Sequence, residues 1–140
     1  MPRTVRDTQA MLAGMTPVLT TGVFVFCCVE RDRAATLYAE AEGVFQEEEG
    51  TTLVLPLARA ETLGFDTQMP MRRIVLEVYS ALDGVGLTAG VATALADEAI
   101  PCNVVAAYHH DHVFVPEEMA EKALSILQAL QRRAKAGKNI

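Results

Sequence analysis

Tryptophan is absent from these 140 residues, and aromatic side chains make up only 6% of them. With so few large rings the core rests on Ala, Val and Leu, which suits a sheet covered by small-residue helices. A basic excess is also missing, since 12 Lys and Arg stand against 18 Asp and Glu for a net charge of −6. Phosphate backbones are held by clustered Lys and Arg, so this balance argues against a nucleic-acid partner. The basic residues that do cluster, Arg132, Arg133, Lys135 and Lys138, close the last helical stretch, where they complement the helix dipole. No segment reaches the ~20 consecutive apolar residues of a membrane span. The opening MPRTVRDTQAML carries no secretory apolar run, so a cytoplasmic protein without a membrane partner is expected. Cysteine is scarce: Cys27, Cys28 and Cys102 are odd in number and form no C-x-x-C pair. Neighbours on a strand point to opposite faces, so Cys27 and Cys28 do not converge on a metal; buried free thiols are expected.

What is present reads as short alternating strands and small-residue helices. Thr4, with Asp7 three residues on, is placed to cap a short helix that Gly14 and Pro17 end. Gly22 to Glu30 is apolar on both faces and predicts a buried strand. Ala34 to Glu49 is Ala- and Glu-rich and predicts partial helix; its acidic cluster matches no calcium loop and reads as a solvated face. Thr51 to Leu57 predicts a second strand, with Pro56 marking its end, and Ala58 to Leu63 one or two helical turns. Along Met71 to Ser80, Ile74, Leu76 and Val78 share one face. Leu87, Val91, Ala94 and Leu95 recur at helical spacing, giving a helix from Gly86 to Glu98. Strands at Cys102–Tyr108 and His112–Val115 follow, then a helix opened by Pro116 with Ala120, Ala123, Leu124, Leu127 and Leu130 on its buried side. The tail beyond is expected to fray.

The C-terminal half thus runs β-α-β-β-α, a ferredoxin-like order lacking its last strand. A strand from the N-terminal half, Val23–Val29 or Leu53–Leu57, is expected to complete that sheet. The fold class is α+β with an antiparallel sheet and two interlocked subdomains. The divisions expected are residues 1–68, residues 69–135 and a tail of 136–140.

Three motifs bear on chemistry. Gly84, Gly86 and Ala89 spell G-x-G-x-x-A between a strand and a helix, a variant of the dinucleotide fingerprint. A dinucleotide fold needs several βαβ units, whereas here the next strand reverses as a hairpin, so no nucleotide cofactor is expected. The glycines still permit a tight turn and close approach of a ligand to N–H groups at a helix start, or serve the turn alone. His109, His110, Asp111 and His112 concentrate metal-ligand types, but two imidazoles on one face leave a zinc site incomplete and no metal is assigned. Ser80 or Cys102 beside a histidine lacks a nucleophile elbow, and no catalytic residue is expected.

Several blocks of the chain carry a family likeness: Phe45–Gly50, Leu53–Leu55, Ser80–Leu82, Val85–Ala89, Ala94–Ala96, Ile100–Val105 and above all Tyr108–Pro116. With its βαββα order, the chain resembles the ACT-domain superfamily, and within it small stand-alone bacterial proteins with two interlocked ACT-like halves. The resemblance implies a non-enzymatic regulatory module that binds an amino acid or similar small effector and pairs as a homodimer. By position in the family, the strand-to-helix loop supplies Asp83, Val85, Gly86, Leu87 and Thr88 as ligand contacts. The second strand supplies Cys102, Asn103 and Val104, and Asp111 occupies the place where an acidic residue can meet a basic ligand. His109 departs from the Tyr expected after Tyr108. A zwitterion fits these types, since a helix start donates N–H groups and Asp83, Asn103 and Asp111 accept. The alternative is a structural or protein-interaction module with no small-molecule ligand. On the first reading, Gly86→Asp is expected to abolish amino-acid binding while sparing the fold.

Overall fold

Residues 7–78 and 84–137 are described by the computed structural model. In chain order they form α1 (Thr8–Gly14), β1 (Thr16–Leu19), β2 (Phe24–Val29), α2 (Arg31–Ala35), β3 (Gly43–Gln46) and β4 (Thr51–Pro56). There follow α3 (Leu57–Thr62), β5 (Met71–Glu77), α4 (Leu87–Ala96), β6 (Asn103–Ala106), β7 (Asp111–Pro116) and α5 (Ala120–Lys135). The contacts divide the chain into two compact units, Gly22–Met71 and Met1–Thr21 with Arg72–Ile140.

The smaller unit is β-α-β-β-α, with strand order β3–β4–β2 and antiparallel pairing throughout. Its core joins Val25, Cys27 and Val29 of β2 to Leu53 and Leu55 of β4, with Ala34, Leu37 and Ala60 packed over them. The larger unit repeats the β-α-β-β-α order with strand order β1–β5–β7–β6. Ile74 and Leu76 of β5 and Val113 and Val115 of β7 face Leu87, Val91 and Leu95 of α4 and Leu127 and Leu130 of α5. β4 and β7 each lie between two other strands, and both show the same alternation of burial, starting from a polar residue. In β4 that residue is Thr51, whose hydroxyl donates to Gln46 Oε1 at 2.8 Å across the hairpin. In β7 it is Asp111, and the residue opposite is Ala106, which offers no side-chain partner.

Several sequence expectations change. The helix expected from Thr4 starts at Thr8, because Asp7 is its cap and accepts from Ala10 N at 2.9 Å; Thr4 lies outside the described residues. β2 is not buried on both faces along its length: Val25, Cys27 and Val29 are buried on one face, while on the other Phe26 and Cys28 are exposed and only Phe24 is buried. The stretch expected to be partly helical, Ala34–Glu49, holds only the end of α2 and a 3-10 turn at Tyr38–Glu40, and then strand β3. Pro116 precedes a 3-10 turn, Glu117–Met119, and α5 begins only at Ala120. Of the two strands anticipated beside β5, β2 does pair with it, at Phe24 opposite Met71, but the strand within the larger unit itself was not anticipated. It is β1, which pairs antiparallel with β5, Pro17 opposite Leu76 and Leu19 opposite Ile74. An edge strand tolerates Pro17 because its missing N–H removes no needed ladder bond.

Candidate functional site

In the larger unit, a glycine at the head of α4 fixes the local geometry. Gly86 is the N-cap, with φ 102° and ψ −14°, and no side chain caps the helix behind it. Left-handed backbone is cheap only for glycine, and an uncapped start leaves the first N–H groups of the helix without intrahelical partners. A Cβ on Gly86 would lie 2.7 Å from Thr8 Cγ2 and 3.1 Å from Thr8 Cβ. The same side chain donates its hydroxyl to the Val85 carbonyl oxygen. Gly86→Asp is therefore expected to cost stability rather than spare the fold, because a side chain there strains the left-handed backbone and crowds Thr8 of α1.

The residues expected to hold a ligand fall into separate places. Val85 is 76% exposed on the loop, and Thr88, the second residue of α4, is exposed. Leu87 is buried in the core, so its side chain is not available to a ligand. Asp83 lies outside the described residues, as does Ser80. Cys102 and Val104 pack against the core, while Asn103 is exposed opposite Phe114. A helical crossover returns the chain to the starting end of the sheet, so β6 begins at the end away from Gly86. Asn103 thus sits about 10 Å along the strand from the turn that carries His109 and His110. Asp111, at the start of β7, is at the Gly86 end and shares the helix-facing side with Val113 and Val115. Gly86, Leu87, Thr88 and Asp111 are brought to one end; Cys102 and Asn103 are not.

Burial pushes the Asp111 carboxyl above the usual carboxylate range, and the charges of His112 and His110 pull it partly back. Burial also raises the Cys102 thiol, and burial followed by the Asp66 charge raises Cys27. Neither thiol is poised as a nucleophile at neutral pH. Among the described residues, no group of three or more His, Cys, Asp or Glu side chains is arranged to hold a metal ion. None of their helices is long and apolar enough to cross a membrane.

A cleft of about 720 Å³ runs between α1, α4 and α5, bordered by Thr8, Leu12, Gly86, Gly90, Asp97 and Arg133. It shares only Gly86 with the expected ligand set. Sequence reasoning missed Thr8 and the α1 side of this end of the unit, and nothing local marks Thr8: its partner is 77 residues away.

Comparison with known proteins places these features in a family. ACT-domain models match residues 4–72 and residues 70–129. A solved Vibrio cholerae protein of unknown function, described as a possible transport protein, is 40% identical. It matches with a TM-score of 0.79 over 88% of this chain and 94% of that one. An Agrobacterium tumefaciens protein aligns with a TM-score of 0.68 at 18% identity, over 84% of this chain and 89% of that one. The regulatory subunit of aspartate kinase from Thermus flavus aligns at 0.58 and 12% identity, over 84% and 96%, a likeness of fold. No curated protein sequence matches. Two consecutive ACT-domain matches over two β-α-β-β-α units lead to one conclusion: the chain belongs to the ACT-domain family.

Proposed function

We propose that this protein is a non-catalytic regulatory module that binds a free amino acid or a similar small zwitterion at the Gly86 end of its larger unit. The observation that carries this reading is the uncapped start of α4 behind a left-handed Gly86. The N–H groups of Leu87 and Thr88 lack a side-chain acceptor there and suit a carboxylate. Asp111, at the same end and on the helix-facing side, supplies an acceptor for an ammonium. A cation beside its carboxyl offsets the desolvation that now disfavours its charge. Asp83 belongs to the same proposal by its position in the sequence. Cys102, Asn103 and Val104 enter it only through contact from a second copy of the chain. We place that copy along β6, the edge strand of the larger unit, where Val105 is exposed and a sheet edge invites strand addition.

A thermal-shift and calorimetric screen of the twenty amino acids tests the reading. A ligand at 100 times its dissociation constant stabilises the folded state by about 2.7 kcal/mol, which for a chain of this length raises the melting temperature by roughly 5–10 °C. An unchanged melting profile with all twenty overturns it. One observation favours a second reading, a protein-interaction module. The edge strand β3 of the smaller unit exposes Val44 and Phe45, the latter 71% open to solvent. On that reading a partner adds to the β3 edge and no effector shifts the melting temperature.

A further inference from the structure

We infer that Thr8 is a positioning residue for the proposed effector site, setting the direction in which the Gly86 amide N–H points. This inference rests on the amino-acid-binding reading above and assigns its orientation to a residue outside the ACT-like loop itself. Thr8 is the first residue of α1, and its hydroxyl donates to the Val85 carbonyl oxygen. Helix α1 does not need that bond, since its N-terminus is capped by Asp7. The carbonyl of Val85 and the N–H of Gly86 belong to one trans, planar peptide unit, and there they point in opposite directions. Holding the carbonyl toward α1 therefore turns the Gly86 N–H away from α1. That N–H then joins those of Leu87 and Thr88 on the side opposite the helix, where a carboxylate is to dock.

The latch works because its fixed half is rigid. Met11 and Leu12, with Met15 just past its end, bury α1 in the core of the larger unit. Gln9 Nε2 donates to the Ala134 carbonyl at 2.5 Å, and Gln131 Nε2 donates to the Ala13 carbonyl at 2.8 Å. One turn beyond Gly86, a Cβ on Gly90 would lie 3.3 Å from Leu12 Cδ1. Thr8 and Leu12 thus face Gly86 and Gly90 in register, one turn apart on both helices, and this close approach delivers the hydroxyl to the loop. The left-handed Gly86 has no side chain to define its peptide orientation, so the definition comes from outside the loop. The same geometry places the donating face away from the α1–α4–α5 cleft, and assigns the effector to the Asp111 side of the loop instead.

The test compares Thr8→Val, which keeps the shape and deletes the hydroxyl, with Thr8→Ser, which keeps the hydroxyl. Each full-length variant is titrated by calorimetry with the amino acid that binds the wild type in the twenty-member screen. The Gly86 amide is followed in parallel by its NMR chemical shift and hydrogen-exchange rate. Thr8→Val is expected to weaken binding about tenfold, the weight of one hydrogen bond. It is also expected to move the Gly86 amide signal, while Thr8→Ser retains both. Equal affinity of Thr8→Val and wild type, or an unmoved Gly86 amide in Thr8→Val, overturns the inference. Equal losses in Thr8→Val and Thr8→Ser overturn it too, because they mark a packing role. If the wild type binds none of the twenty amino acids, the effector reading fails. The Gly86 amide still decides whether Thr8 orients the loop.

Discussion

Replacing Gly86 by Ala isolates the contact on which the loop geometry rests. Two costs act together. The first is the left-handed backbone at φ 102°, which for an L-residue costs about 1–2 kcal/mol. The second is the new methyl group, which would stand 2.7 Å from Thr8 Cγ2 and 3.1 Å from Thr8 Cβ. Those separations are far inside the optimum of roughly 3.5–4.0 Å for carbon pairs. The Thr8 Cβ cannot retreat without moving a helix that carries the buried Met11 and Leu12, and overpacking of this kind costs about 1–3 kcal/mol. Reduced freedom of the unfolded chain returns about 0.4–1 kcal/mol. The expected net loss is about 3 kcal/mol. Gly64 is the control, since it has φ +78° and a methyl group added there would meet nothing within 4 Å. Gly64→Ala carries the backbone cost alone and is expected to lose about 1 kcal/mol. Urea unfolding followed by far-UV circular dichroism measures both. In a Thr8→Ala background, which removes the hydroxyl and Cγ2, the Gly86→Ala loss is expected to shrink toward the Gly64 value. Equal losses for Gly86→Ala and Gly64→Ala in the wild-type background refute the packing of α1 against this loop.

Two further predictions concern titration and reactivity. The Asp111 carboxyl is raised by burial, so the folded state holds its proton more tightly than the unfolded chain. Its contribution to stability is therefore greatest below the ordinary carboxylate range and falls as pH rises through the raised value. Asp111→Asn is expected to flatten that fall in a pH series of urea midpoints; an unchanged pH profile contradicts it. Among the thiols, Cys28 is exposed, whereas Cys27 and Cys102 are raised by burial. Mass spectrometry of the native protein treated with iodoacetamide at neutral pH is expected to find Cys28 alkylated first. Earlier labelling of Cys27 contradicts the burial of the β2 inner face.

Much of the fold was legible in periodicity. Ile74, Leu76 and Val78 alternate as a half-buried strand, and Leu87, Val91 and Leu95 recur at helical spacing, and both sets entered the core as expected. The failures have local causes. β1 is four residues long and contains Pro17, so it carries almost no strand signal; its pairing with β5 is decided by tertiary contact. β3 is equally short and exposes most of its side chains, so Val44 and Phe45 give no buried periodicity to read. The glycine punctuation around Gly86 was readable as a turn at a helix start, and its left-handed backbone bears out the need for glycine. Thr8 was not readable, because its significance lies in a bond to a carbonyl 77 residues away. Nor did the sequence separate Asn103 from Asp111. That separation follows from the direction of β6, which depends on the crossover through α4.

The most direct measurement of the central claim is an NMR titration of the 15N-labelled chain with the amino acid that stabilises it. Binding at the α4 start is expected to give the largest amide shifts at Gly86, Leu87 and Thr88, with a smaller set at Asp111. Shifts centred instead on Asp97 and Arg133 in the α1–α4–α5 cleft, or no shifts with any of the twenty amino acids, contradict it.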